Sequence, residues 1–160
     1  MTEPVRLESV HFDSVEQTQA WGARLGESLR AGDLVVLTGG LGAGKTTLTQ
    51  GIAEGMRVRG PITSPTFVIA RVHPSLVGGP ALVHVDAYRL GGAAELDDID
   101  LDEDLEEVVT VVEWGAGLAE QLADDHLELV LAGDGDRRTI TLRPSGARFD
   151  VLVDRLTNDV

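Results

Sequence analysis

The apolar positions of this chain fall into short runs separated by glycine, proline and acidic breaks, a rhythm that alternates strands with helices. Leu34-Val35-Val36-Leu37, Ala81 to Val85 and Val108 to Val112 are compact apolar runs of strand length, of the kind buried inside a sheet. Arg6 to Phe12 reads as an edge strand. Ser14 followed by Gln17 is a capping-box pattern, and predicts a helix from there to about Arg30 with Ala20, Leu25 and Leu29 facing inward and Trp21 in the core. Ala31-Gly32-Asp33 turns that helix into the next strand. A second helix is predicted from Thr47 to Met56, and Gly60-Pro61 breaks the chain after it. Thr66 to Val72 reads as a strand, His73 to Pro80 as a loop, and the run to Val85 ends at Asp86. Gly91-Gly92 is a turn, Val108 to Val112 ends at Glu113-Trp114, and Gly115 to Leu122 is a candidate helix. His126 to Leu131 and Arg138 to Leu142 form a late strand pair around Gly133-Asp134-Gly135-Asp136, before a last helix over Ala147 to Leu156. This order predicts an α/β sandwich with a mixed sheet, and ligands at the carboxyl ends of its central strands.

Composition narrows the class. The 160 residues (1–160) suit a single domain, and 42% hydrophobic residues suit a globular one. The chain has no cysteine, which excludes a disulfide framework and Cys-based metal sites. No apolar run is long enough to span a bilayer and Met1 to Val10 has no apolar signal core, so a cytoplasmic protein with no membrane partner is expected. The formal charge of −14 argues against an independent grip on nucleic acid, which rests on Lys and Arg. Nine acidic residues lie within Glu95 to Glu107, either a solvated face or a docking surface for a basic partner.

The chemistry centres on Gly39-Gly40-Leu41-Gly42-Ala43-Gly44-Lys45-Thr46, which meets every fixed position of the G-x-x-x-x-G-K-[ST] phosphate loop between a strand and a helix. Glycines let backbone N–H groups curl around a phosphate, and the helix directs its positive end at it. Lys45 is placed to reach the β- and γ-phosphates and the Thr46 hydroxyl to ligate Mg²⁺. Asp86 and Glu113 both close strands, where one acid can hold Mg²⁺ and another can orient water. Thr66, in Ser64-Pro65-Thr66, is either a plain turn residue or a sensor of the γ-phosphate. Trp114 either stacks near a nucleotide or packs in the core. Arg71, Arg89, Arg137 and Arg138 are candidate phosphate contacts, with a surface role the simpler reading of each. His11, His73, His84 and His126 show no metal-ligand spacing, and His84, on a strand, reads as packed or hydrogen-bonded.

Together these landmarks resemble the TsaE (YjeE) ATPases of bacterial tRNA threonylcarbamoyladenosine synthesis. The resemblance runs from about Ser14 to Leu131. It rests on Leu41-Gly42-Ala43-Gly44-Lys45-Thr46-Thr47, Ser64-Pro65-Thr66-Phe67, His84-Val85-Asp86-Ala87-Tyr88-Arg89-Leu90, the acidic segment, and Val112-Glu113-Trp114. It implies a P-loop NTPase-like three-layer sandwich with a mixed, mostly parallel central sheet. It further implies ATP cradled by Gly40, Leu41, Gly42, Ala43, Gly44, Lys45, Thr46 and Thr47. Thr66 would be the switch residue, Asp86 and Glu113 the acids that organise Mg²⁺ and water, with Glu113 favoured as metal ligand, and Trp114 would lie near the nucleotide. Adenine would sit near Val15 and the segment after Leu131. The family is an ATPase accessory to the TsaB–TsaD pair, which modifies the adenosine beside the anticodon; tRNA contact would be indirect. Two departures are the Gly78-Gly79-Pro80 loop and the small residues of Val85-Asp86-Ala87.

Other readings share the same loop. A small-molecule kinase needs an acceptor pocket and usually an arginine-bearing lid, for which Arg137-Arg138 is the only clustered pair. A GTPase is excluded, because Lys45 is the only lysine and the [NT]-K-x-D guanine motif requires another. A non-catalytic ATP-sensing module would use the same residues as an ATPase.

Overall fold

The structure is a computed structural model that describes residues 8–39, 44–60, 70–86, 106–113, 125–135 and 137–158. Seven strands form one sheet in the order β1-β7-β6-β2-β5-β4-β3. They are β1 (Glu8–Phe12), β2 (Leu34–Thr38), β3 (Ala70–His73), β4 (Leu82–Asp86), β5 (Val109–Glu113), β6 (His126–Asp134) and β7 (Arg137–Ser145). The described helices are α1 (Val15–Ser28), α2 (Lys45–Met56) and α3 (Ala147–Asn158).

The four central strands, β6, β2, β5 and β4, run parallel. The β6–β7 hairpin, β1 on β7 and β3 on β4 add antiparallel edges. The apolar runs occupy the centre, as burial on both faces demands. On one face Val35, Leu37, Val111, Leu127 and Leu129 meet Trp21, Leu25, Leu48, Ile52, Phe149 and Leu152 of the three helices. On the other face Leu34, Val36, Val85 and Val112 are equally buried, as a three-layer sandwich requires.

The first helix starts as its cap predicts. Ser14 Oγ accepts from Gln17 N at 3.2 Å. The return bond is shifted by one residue, since Gln17 Oε1 accepts from Asp13 N at 2.8 Å. Its inward stripe passes through Thr18, Trp21, Gly22, Leu25 and Gly26. Ala20, expected inside, is exposed, because it falls off that stripe. The helix also ends at Ser28, two residues before the expected limit, with Leu29 extended as its C-cap. Asp33 holds this corner together: its Oδ2 accepts from Arg30 N at 2.8 Å and from Arg148 Nη2 of α3 at 2.9 Å.

Helices α1 and α2 pack at backbone contact. A Cβ on Gly26 would lie 2.2 Å from Ile52 O, and one on Gly55 would lie 2.0 Å from Ala23 O. Gly22 and Gly51 make similar approaches, so each helix presents a Gly-x-x-x-Gly stripe to the other. The late strands are longer than expected, His126–Asp134 and Arg137–Ser145, because the hairpin register carries pairing up to Asp134 and Arg137 and beyond Leu142 to Ser145. Strand β3 includes His73, expected in the following loop, because His73 pairs with Leu82. The expected strand over residues 66–69, the turn at 91–92, the helix at 115–122 and the acidic residues 95–105 lie outside the described residues; Glu106 and Glu107 are exposed.

Candidate functional site

Strand β2 delivers the chain to the phosphate loop at its carboxyl end, and α2 leaves the loop at Lys45, two residues earlier than expected. Gly44 caps the helix with φ 101°, a left-handed conformation that glycine adopts without strain. It offers no side-chain cap to the first turn of α2. A helix amino terminus of this kind favours an anion.

Lys45 is only 6% exposed. Its Nζ donates to Gly39 O at 2.8 Å, folding the side chain back across the loop. Thr46 and Thr47 are half-buried beside it. Gly40, Leu41, Gly42 and Ala43 lie outside the described residues, as do Thr66, Arg89 and Trp114.

Glu113 ends β5 in register with Leu37, one residue before the end of β2, which leads into the loop, and with Asp86 at the end of β4. The two candidate acids therefore close adjacent parallel strands at the loop's end of the sheet. Glu113 shares the sheet face of Leu37 and Val111, the face that α2 covers. It is 4% exposed, and its Oε2 lies 2.5 Å from Nε2 of the fully buried His84. For Asp86 the backbone position is described and the side chain is not.

The arginines separate. Arg71 and Arg137 are exposed, as expected of surface residues. Arg138 is not a simple surface residue. Its side chain crosses Gly44, where a Cβ would meet its Nε at 3.0 Å, and its Nη1 donates to Gly135 O at 2.5 Å and Arg137 O at 2.7 Å. The β6–β7 hairpin thus lays a guanidinium against the amino terminus of α2. Val15, the first residue of α1, is 38% exposed just beyond the end of β1, where Phe12 pairs with Arg138. Leu131 is buried on β6, two residues before Gly133, which pairs with Arg138. Val15, Leu131 and Arg138 are therefore brought to one side of the loop by strand pairing.

The donor chemistry fits Mg²⁺. The Thr46 hydroxyl and the Glu113 carboxylate are oxygen donors of the kind a hard cation takes. Among the described residues no three His, Cys, Asp or Glu converge on one point.

A glycine loop between a central parallel strand and a helix, with acids closing the neighbouring strands, defines a protein of the P-loop NTPase fold. The crystal structure of YdiB from Bacillus subtilis shares this fold at a TM-score of 0.76, with 33% identity over 99% of each chain. Residues 12–140 match the family model described as threonylcarbamoyl adenosine biosynthesis protein TsaE, and the chain belongs to that family. A tRNA threonylcarbamoyladenosine biosynthesis protein TsaE from Streptomyces coelicolor is 66% identical over 80% of this chain and 90% of its own. The protein of the same name from Bacillus subtilis is 38% identical over 89% of each.

Proposed function

We propose that this protein is a Mg²⁺-dependent ATPase that supports the TsaB–TsaD complex in threonylcarbamoylation of the tRNA adenosine beside the anticodon. The observation that carries the reading is the G-x-x-x-x-G-K-T loop set between β2 and α2, with buried Lys45 at the first turn of the helix. Lys45 exchanges its Gly39 carbonyl partner for phosphate oxygens, and the amino terminus of α2 completes the cradle. Thr46 and Glu113, with Asp86 at the end of the next strand, hold Mg²⁺, which when bound neutralises charge on the phosphates. Glu113 or Asp86 orients the attacking water, Thr66 serves as the switch residue, and Trp114 lies near the nucleotide. Arg138 adds a second cation at the phosphate end of α2. The acidic chain leaves tRNA to its partners and acts in the cytoplasm.

The test is phosphate release from ATP with Mg²⁺, for the chain alone and with TsaB and TsaD from the same source. Weak release that rises with the partners is expected. No response to partners, or phosphate transferred to a small acceptor, would overturn the reading in favour of a kinase.

A further inference from the structure

We propose that His84 is the positioning residue of Glu113: it grips one carboxylate oxygen so that the other is presented to Mg²⁺ or water at the phosphate loop. The inference rests on the reading of Glu113 given above and names what holds that group in place.

His84 lies in the middle of β4, in register with Val111 of β5, two residues before Glu113. Residues two apart on a strand share a face, so the imidazole and the carboxylate emerge on the same side of the sheet, diagonally across neighbouring parallel strands. His84 is fully buried and Glu113 nearly so, and Nε2 lies 2.5 Å from Oε2. A carboxylate oxygen can only accept, so Nε2 carries the proton and donates. The other ring nitrogen, Nδ1, is buried with no partner among the described residues. The ring therefore spends its one side-chain hydrogen bond on the buried acid that closes β5. Because Oε2 is occupied by His84, Oε1 is the oxygen left to face a ligand. Such an outer hydrogen bond fixes the rotamer of a ligating carboxylate before the ion arrives, which is the general role of the second layer around metal-binding groups. It also forbids the carboxylate from turning away to find water elsewhere.

The experiment compares His84→Leu with His84→Gln, whose amide can occupy the place of Nε2–H. Binding of a fluorescent ADP analogue is measured against Mg²⁺ concentration, alongside kcat and KM for ATP. His84→Leu is expected to raise the Mg²⁺ needed for half-saturation by about tenfold or more and to lower kcat, with Mg²⁺-free ADP affinity and KM unchanged. His84→Gln is expected to restore both. Wild-type Mg²⁺ dependence and kcat in His84→Leu would overturn the proposal, as would equal defects in the two variants, which would mark a role in packing alone. If His84→Leu does not fold, His84→Asn takes its place: its amide is too short to reach Glu113, so it is expected to fail where His84→Gln succeeds, and equal behaviour would overturn the proposal. A wild-type chain with no Mg²⁺-dependent nucleotide binding would instead overturn the ATPase reading itself.

Discussion

At the scale of single residues, the site is a set of charges placed against a helix end. Lys45 is the only lysine of the chain and is buried where the positive end of α2 begins. Its Nζ keeps a backbone carbonyl as partner, so the cation is satisfied until a stronger acceptor replaces it. Lys45→Ala should therefore weaken ATP binding about 10- to 100-fold, from the roughly 1.5–3 kcal/mol of a hydrogen bond to a charged group, without unfolding the chain. Arg138→Ala should cost less, no more than about 1 kcal/mol, because its guanidinium is half exposed and screened. Titration calorimetry with ATP, with circular dichroism as the check on folding, measures both. Equal, wild-type affinity in the Lys45 variant would remove the loop from nucleotide binding. The position of Lys45 was legible in the sequence because its motif is contiguous. Arg138 was one of four candidate phosphate contacts, with a surface role the simpler reading, since only the hairpin register brings it across a glycine distant in the chain.

At the scale of elements, α2 is anchored through contact between backbones. Gly22 and Gly26 on α1, and Gly51 and Gly55 on α2, let two parallel helices approach until a methyl group would strike a carbonyl. Replacing Gly55 with Ala raises helix propensity by about 1 kcal/mol. The same methyl would lie 2.0 Å from Ala23 O, and overpacking of this kind costs about 1–3 kcal/mol, at the high end when the obstacle is backbone. The clash wins, so Gly55→Ala should lower unfolding free energy in urea by about 1–2 kcal/mol or more. Gly79→Ala is the control: its nearest neighbour would be Ser75 Oγ at 3.5 Å, and stability should stay within about 0.5 kcal/mol. A stable Gly55 variant would show that the helices can separate without loss. The amphipathic pattern located both helices, and Ala20 was placed inward because periodicity alone does not say that glycines, not alanines, face the partner helix.

At the scale of the molecule, stability carries a pH signature from His73. Burial pushes its imidazole below the ordinary 6.5; the bond between its Nδ1 and Arg59 O opposes that, and the nearby His84 and Arg71 add to it. The unfolded chain takes up the proton as pH falls through 6.5 while the folded chain resists. The contribution is therefore present above pH 6.5 and is lost as pH falls below it towards the folded value. His73→Asn, which keeps a donor for the Arg59 carbonyl, should flatten the decline of stability between about pH 7 and 5. Thermal unfolding across that range checks it, and an unchanged slope would assign the decline to other groups.

The sequence by itself determined the strand–loop–helix unit, the capped start of α1, the buried parallel strands and the acids that end them. Each of these is encoded by neighbours: a periodicity, a cap three residues away, a glycine run. Tertiary structure decided the rest. It set β5 between β2 and β4, so that Glu113 and Asp86 stand in register at the loop's end of the sheet. It brought His84 to Glu113 across 29 residues and Arg138 to Gly44 across the sheet. It also chose which face of α1 meets α2. These are contacts between residues far apart in the chain, and no local pattern of residue types specifies them until strand order and register are fixed.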